Sequence, residues 1–264
     1  MLRWCGRGDL ERILAIDSVV SGAAIAIASA FVNLTIIGML LLLLLVCPAV
    51  SFMMTTVIKT MERSRTIHSK GKTIRIGQGD IFQQEEIIVI PVNRCFDTVV
   101  DDDIIAGSSL HGKFILRFFR DDAQSLDIII EKQLSDVRFD QQRRVRGKEK
   151  CYAPGTVVSI DCDKRTYILL ALTEFDENNN AGCTLPDYCS AIEDLLEYLN
   201  VHCQGRKVSL PLIGGGLSRM NSSPEDLLEL LIALIKTDSH DCPKDIEICL
   251  TENTLESIDL SKIH

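Results

Sequence analysis

No C-x-x-C pair occurs in this 264-residue chain, although it holds ten cysteines: Cys5, Cys47, Cys95, Cys151, Cys162, Cys183, Cys189, Cys203, Cys242 and Cys249. Their scatter argues against a zinc framework and predicts free, mostly buried thiols, with neither a metal nor disulfides. Positive charge is also in short supply. Against 37 Asp and Glu stand 28 Lys and Arg, a net charge of −9. Residues 1–65 carry six Lys/Arg and four Asp/Glu, so the rest of the chain has 22 basic against 33 acidic residues, net −11. Such a surface repels a phosphate backbone, which argues against nucleic acid as a partner.

Charge of either sign is missing from Ser18 to Ile58, a stretch of about 40 residues. As one helix it would be about 60 Å long, twice a hydrocarbon core of roughly 30 Å. Two passes fit better, at about 13–32 and 36–58, broken near Asn33-Leu34-Thr35. Arg3, Arg7 and Arg12 precede the first and Lys59, Arg63 and Arg65 follow the second. Positive flanks at both ends predict a helical hairpin with both termini cytoplasmic. Ala28-Ser29-Ala30 resembles a signal-peptide cleavage site, but the apolar region is too long and a second one follows at once. Gly22, Ala26 and Ala30 recur every four residues, a small-residue stripe that permits close helix packing. The expected organisation is a transmembrane hairpin over 1–61, a basic connector over 62–72 and an α/β domain over 73–264.

Within that last part, Ile87-Ile88-Val89-Ile90 is a continuous β-branched run, the pattern of a strand buried on both faces. Strands are also expected at 73–76, 155–160, 167–172, 207–213 and 246–250, and helices at 110–119, 123–137, 185–201 and 224–236. Ser223 is a good N-cap for the last helix and Pro224 suits its first position. The order implies a mixed sheet between layers of helices, a three-layer α/β/α domain. Arg138 to Lys150 (RFDQQRRVRGKEK) has no apolar face and reads as a solvated surface run.

The strongest local signal is "SLPLIGGGLSRMNSSPEDLL". A buried strand runs into Gly214-Gly215-Gly216, and a capped helix begins soon afterwards. Glycines let the backbone approach a ligand and turn N–H groups into one concavity, and a helix N-terminus adds partial positive charge. A tight turn without a ligand is the bland alternative, and three glycines exceed what it needs. "IGQGD" lacks the third glycine of a dinucleotide fingerprint, and no helix follows it. Alone, Asp80 passes as a turn residue, Asn93 as an end-of-strand cap and His111 as a structural histidine.

Together these pieces resemble the macro domain family, the ADP-ribose-binding fold, from about Thr73 onward. The residues that carry the resemblance are Gly79-Asp80-Ile81, the strand to Asn93, Ser108-Ser109-Leu110-His111-Gly112, and Gly214-Gly215-Gly216-Leu217-Ser218, with Arg219 adjacent. The resemblance implies that Asp80 and Ile81 meet the adenine and Asn93 the distal ribose. It also implies that Ser109, Leu110, His111 and Gly112 form one loop of the cleft, and that Gly214 to Arg219 wrap the diphosphate. Hydrolytic members carry N-A-A-N where this chain has Ile90-Pro91-Val92-Asn93, and an acidic residue where it has His111. Those departures imply a reader of the ligand with no catalytic residues, no cofactor and no metal.

With the apolar N-terminal region, the motifs resemble the membrane-anchored macro-domain effectors of the Thoeris antiviral system. That resemblance implies a bacterial inner-membrane, multi-pass protein with the lipid bilayer as a partner. It implies a signal made from NAD by a TIR-domain enzyme, an ADP-ribose derivative joined to histidine. Binding would drive self-association into oligomers and membrane disruption. A membrane-tethered ADP-ribosyl hydrolase and an ADP-ribose-reading anchor are the alternatives.

Overall fold

The computed structural model describes residues 7–29, 36–175, 181–215 and 222–263. The chain divides into two compact units, Met1–Arg63 and Ser64–His264. The first holds helices α1 (Arg7–Ser29) and α2 (Ile36–Glu62). Ser51 Oγ of α2 donates to Asp17 Oδ1 of α1 at 3.1 Å. Among the described residues, a Cβ placed on Gly22 would meet nothing within 4 Å. Ala30 lies outside the described residues.

Among the described residues no helix is long and apolar enough to cross a membrane. This overturns the two spans expected at 13–32 and 36–58, and with them the multi-pass inner-membrane placement. The physical reasons are charge and a helix-breaking residue. α1 carries Asp17 within the first expected span, and Pro48 removes one ladder hydrogen bond inside α2.

The second unit is the mixed α/β domain. Its elements are β1 (Ser64–Ser69), β2 (Lys72–Gln78), β3 (Ile87–Asn93), α3 (Leu110–Phe118), α4 (Ala123–Gln133), β4 (Phe139–Gln141), β5 (Lys150–Tyr152) and β6 (Val157–Cys162). β7 (Arg165–Phe175), β8 (Ala181–Gly182), α5 (Leu185–His202), β9 (Val208–Pro211), α6 (Pro224–Thr237), β10 (Asp245–Leu250) and α7 (Glu252–Glu256) complete it. The main sheet runs β1-β2-β10-β9-β3-β7-β6, with β8 paired to β7. Its five central strands, β2, β10, β9, β3 and β7, are mutually parallel, so their C-terminal ends share one edge. β1 and β6 close the sides antiparallel. The segment read as a connector over 62–72 thus contains an edge strand, whose half-exposed alternation fits a flank of the sheet.

Period-two alternation along the strands builds two cores. Ile87 and Val89 of β3 join Ile168 and Leu170 of β7 under α5 and α6. Ile88, Ile90 and Val92 join Tyr167 and Leu169 on the other face, under α3 and α4. Because both faces are covered, β3 reads as a continuous apolar run. Two side chains expected as free thiols are bonded: Cys95, just after β3, and Cys151, in β5, form a disulfide.

Candidate functional site

Ligands of open parallel sheets bind outside the carboxyl ends of the strands. Here that edge presents Gly79-Asp80 after β2, the glycine turn after β9, Asn93 at the end of β3 and Phe175 at the end of β7. With strands about 4.8 Å apart, the ends of β2 and β3 lie about 14 Å from each other across β10 and β9. The sheet therefore brings Asp80, the glycine turn and Asn93 to one edge.

At the β2 end, Gly79 N donates to Leu250 O at 3.1 Å, which ties the loop to β10. Asp80 is exposed and caps a single 3-10 turn, Ile81–Gln83, by accepting from Phe82 N at 3.0 Å. Its other oxygen accepts from Gln83 Nε2 at 3.4 Å. Ile81 is a core residue beneath this turn.

At the β9 end, Gly215 N donates to Leu212 O at 3.1 Å and Gly214 has φ +84°. Those features are a β-turn with its third residue left-handed, as in type II, a position that glycine fills without strain. A Cβ on Gly215 would stand 3.0 Å from Leu212 Cδ2. A turn therefore accounts for these two glycines. Gly216, Leu217, Ser218 and Arg219 lie outside the described residues. The nearby N-terminus of α6 serves itself: Ser223 and Asp226 form a capping box, and Glu225 adds negative charge. That helix end thus carries negative charge of its own beside its dipole.

At the α3 end, Ser109 Oγ accepts from Gly112 N at 2.9 Å and donates to Ala106 O at 2.7 Å. A Cβ on Gly112 would lie 2.3 Å from Ala106 O, so only glycine fits. Leu110 packs against the core under α3 and α4. His111 is buried, and burial with the nearby Lys148 ammonium pushes its imidazole down to about 3, against the pull of the Asp97 backbone.

Asn93 is also buried. Its Oδ1 accepts from Cys95 N at 3.1 Å and Asp97 N at 3.3 Å, so the oxygen end shapes the following loop. The Nδ2 end takes no part in these two bonds.

The charge run over 138–150 is no plain solvated surface. Arg144 Nη1 meets Asp97 Oδ2 at 2.7 Å, with side chains 8% and 2% exposed. Its guanidinium carbon lies 4.7 Å from the centroid of the Phe175 ring. Arg146 pairs with Asp101 and Asp103, and Lys148 with Asp127. Arg94 donates to Tyr152 O and pairs with Glu174, both at 2.7 Å. Sequence reasoning missed Arg144, Lys148 and Phe175. The signal was the match between a basic run at 143–148 and an acidic one at 101–103, two segments that reach each other only in the fold. Among the described residues no group of three or more His, Cys, Asp or Glu is placed to hold a metal ion.

The architecture is that of a macro domain. The Oceanobacillus iheyensis macrodomain with ADP aligns with a TM-score of 0.51 at 13% identity, covering 73% of this chain and 91% of that one. A mutant of that macrodomain with ADPR aligns at 0.52 and 13%, covering 73% and 93%. At such identity the likeness shows the fold alone. Residues 74–251 match the family described as Thoeris protein ThsA, Macro domain, and the chain belongs to that family. The Thoeris protein ThsA of Bacillus amyloliquefaciens (strain Y2) is 32% identical over 180 residues, which are 65% of this chain and 58% of that relative. The chain thus spans under two thirds of the relative's length.

Proposed function

We propose that this domain is the receptor part of a Thoeris defence protein. It binds an ADP-ribose derivative across the C-terminal edge of the sheet and does not cleave it. The supporting observation is the shared edge: five parallel strands bring Asp80, the Gly214-Gly215 turn and Asn93 into one row about 14 Å long. Asp80 would take the adenine amino group, the turn and the residues after it the diphosphate, and Asn93 Nδ2 the distal ribose. The signal is one made from NAD by a TIR-domain enzyme, and histidine joined to the distal ribose is the form we favour. The proposed output is self-association of the liganded receptor.

Two observations favour reading over hydrolysis. A general base works best with a pKa near the working pH, and His111 is held down to about 3. The Asn93 oxygen, which could otherwise orient a water, is occupied by Cys95 N and Asp97 N.

Calorimetry on the full chain tests the reading, with ADP-ribose and histidine-linked ADP-ribose titrated separately. Saturable binding of at least one is expected, and binding of neither removes the proposal. Incubation with ADP-ribosylated protein, followed by chromatography, should release no free ADP-ribose. Steady release would favour the hydrolase alternative. Scattering measured with and without the bound nucleotide should show a rise in mass.

A further inference from the structure

Gln142 aims a carboxamide oxygen at two sulfurs that cannot use it. Its Oε1 lies 3.2 Å from Cys151 Sγ and 3.9 Å from Cys95 Sγ. In the disulfide neither sulfur carries a hydrogen, so this acceptor faces two groups with nothing to donate. Its orientation is fixed from the far side. Gln142 Nε2 donates to Glu174 Oε1, and Glu174 Oε2 meets Arg94 Nη1 at 2.7 Å. A carboxylate only accepts, so the amide turns its nitrogen to Glu174 and its oxygen to the sulfurs. That oxygen gains donors from the pair when Cys95 and Cys151 carry S–H groups.

The backbone keeps the two thiols side by side once the bond opens. Their neighbours Arg94 and Tyr152 are tied twice: Tyr152 N donates to Arg94 O at 2.9 Å, and Arg94 Nε donates to Tyr152 O at 2.7 Å. Both sulfurs belong to buried residues, so a reductant needs a local opening. The cover is light. Cys151 stands opposite Asp140 of β4, and β4 is exposed along its length and shares a two-stranded sheet with β5 alone. A ribbon of two three-residue strands is marginal by itself, and such elements open first. Among the other described cysteines, which are free thiols, burial pushes Cys183 up to about 11 and Cys249 to about 12, so they are poor competitors for exchange.

We infer that Cys95–Cys151 is an exchangeable disulfide, a site at which a dithiol reductant acts on the folded domain and loosens the loop after β3. The reductant's thiolate attacks Cys151 Sγ, the S–S bond breaks, and Cys95 leaves as a thiolate that takes up a proton. The second thiol of the reductant then attacks the mixed disulfide, and Cys151 leaves in the same way. Two electrons pass, so the protein ends as a dithiol and the reductant as a disulfide. Gln142 stabilises the reduced form, and a stabilised dithiol makes its disulfide easier to open. The effect reaches the candidate site because Cys95 N and Asp97 N both donate to Asn93 Oδ1, and the crosslink helps to hold the loop that carries them. This control of the loop does not depend on the nucleotide reading proposed above.

The full chain is equilibrated at fixed ratios of reduced to oxidised dithiothreitol, and its thiols are trapped by alkylation and read by mass spectrometry. Cys95 and Cys151 should become alkylated together while the protein still melts cooperatively. Gln142→Met keeps much of the side chain's bulk and removes the acceptor. It loses the Glu174 contact in both redox states, so the bond to the thiols is what differs between them. Its midpoint should need a roughly three- to tenfold higher ratio of reduced to oxidised dithiothreitol, the size of one net hydrogen bond. Amide exchange followed by NMR gives a reading that stands even if Gln142→Met does not fold. Reduction should speed exchange at Cys95 and Asp97 by about fivefold or more in the wild type, with no response in the variant combining Cys95→Ser and Cys151→Ser. Alkylation of the pair only as the chain unfolds in urea would overturn the inference. So would a folded Gln142→Met with the wild-type midpoint, exchange at Cys95 and Asp97 that ignores reduction, or a double variant that still responds to it.

Discussion

At the β2 end of the strand edge, Asp80 is exposed and its carboxylate is held by two local contacts, from Phe82 N and Gln83. At the β3–β7 end, Asn93, Asp97 and His111 are buried, and Arg144 is joined to Asp97 across 47 residues of sequence. A disulfide between Cys95 and Cys151 crosses the same gap. The first end is a surface feature that the fold can change at little cost. The second is part of what holds the domain together, so recognition there is tied to stability. Substitutions at the two ends should therefore fail in different ways.

The sharpest break of this contrast is Asp97→Ala. It strands the Arg144 guanidinium in a buried site, and removing one partner of a buried pair costs about 3–5 kcal/mol. Urea unfolding should show a midpoint shift of that size. A cost under about 1 kcal/mol would mean that the β3–β7 end is not preformed. Next comes the disulfide. Its bridge spans 56 residues of sequence, and a crosslink of that span contributes roughly 2–4 kcal/mol by restricting the unfolded chain. Cys95→Ser combined with Cys151→Ser should lower the melting temperature accordingly. A reductant should lower that of the wild type and leave the double variant unchanged.

Much of the fold is legible because burial writes a pattern. Four β-branched residues mark β3, and Ser223-Pro224 marks the start of α6. β1 is hidden because an edge strand half in water needs no apolar run, and β4 is fully exposed within a charge run. The apolar N-terminal run misled because composition suggested two spans where no described helix can cross a membrane. At the site, Asp80 and Asn93 stand out as polar residues at strand ends. Arg144 does not, since a charged residue reads as solvated until its partner is known, and Asp97 lies in another loop. The glycines carry a second constraint that sequence does not show: a Cβ on Gly112 would lie 2.3 Å from Ala106 O, and one on Gly215 3.0 Å from Leu212 Cδ2.

The third prediction concerns pH. A histidine titrates near 6.5 in the unfolded chain, while His111 stays neutral in the fold until about pH 3. Between those values the unfolded state binds more protons, so the contribution is fully present above about pH 6.5 and is lost as pH falls toward 3. The slope from this one group is about 1.4 kcal/mol per pH unit within that window. His111→Gln should flatten the stability profile there relative to the wild type. Parallel profiles would place His111 in water and remove the argument against its acting as a base.

The smallest effect is expected at the exposed end, where it should appear in selectivity and hardly at all in stability. Asp80→Asn keeps an oxygen to accept from Phe82 N, and asparagine caps about as well as aspartate, so unfolding should move by less than about 0.5 kcal/mol. The chemistry offered to a base does change. A carboxylate can only accept, as from the adenine amino group, whereas a carboxamide can also donate to the carbonyl of hypoxanthine. The wild type should therefore prefer ADP-ribose to inosine diphosphate ribose, and Asp80→Asn should reduce that preference by about three- to tenfold. If the ratio does not move, Asp80 does not meet the base, and the nucleotide does not run along the edge from β2. A large loss of stability would instead show that the exposed end is as structural as the buried one, and the contrast between them would collapse.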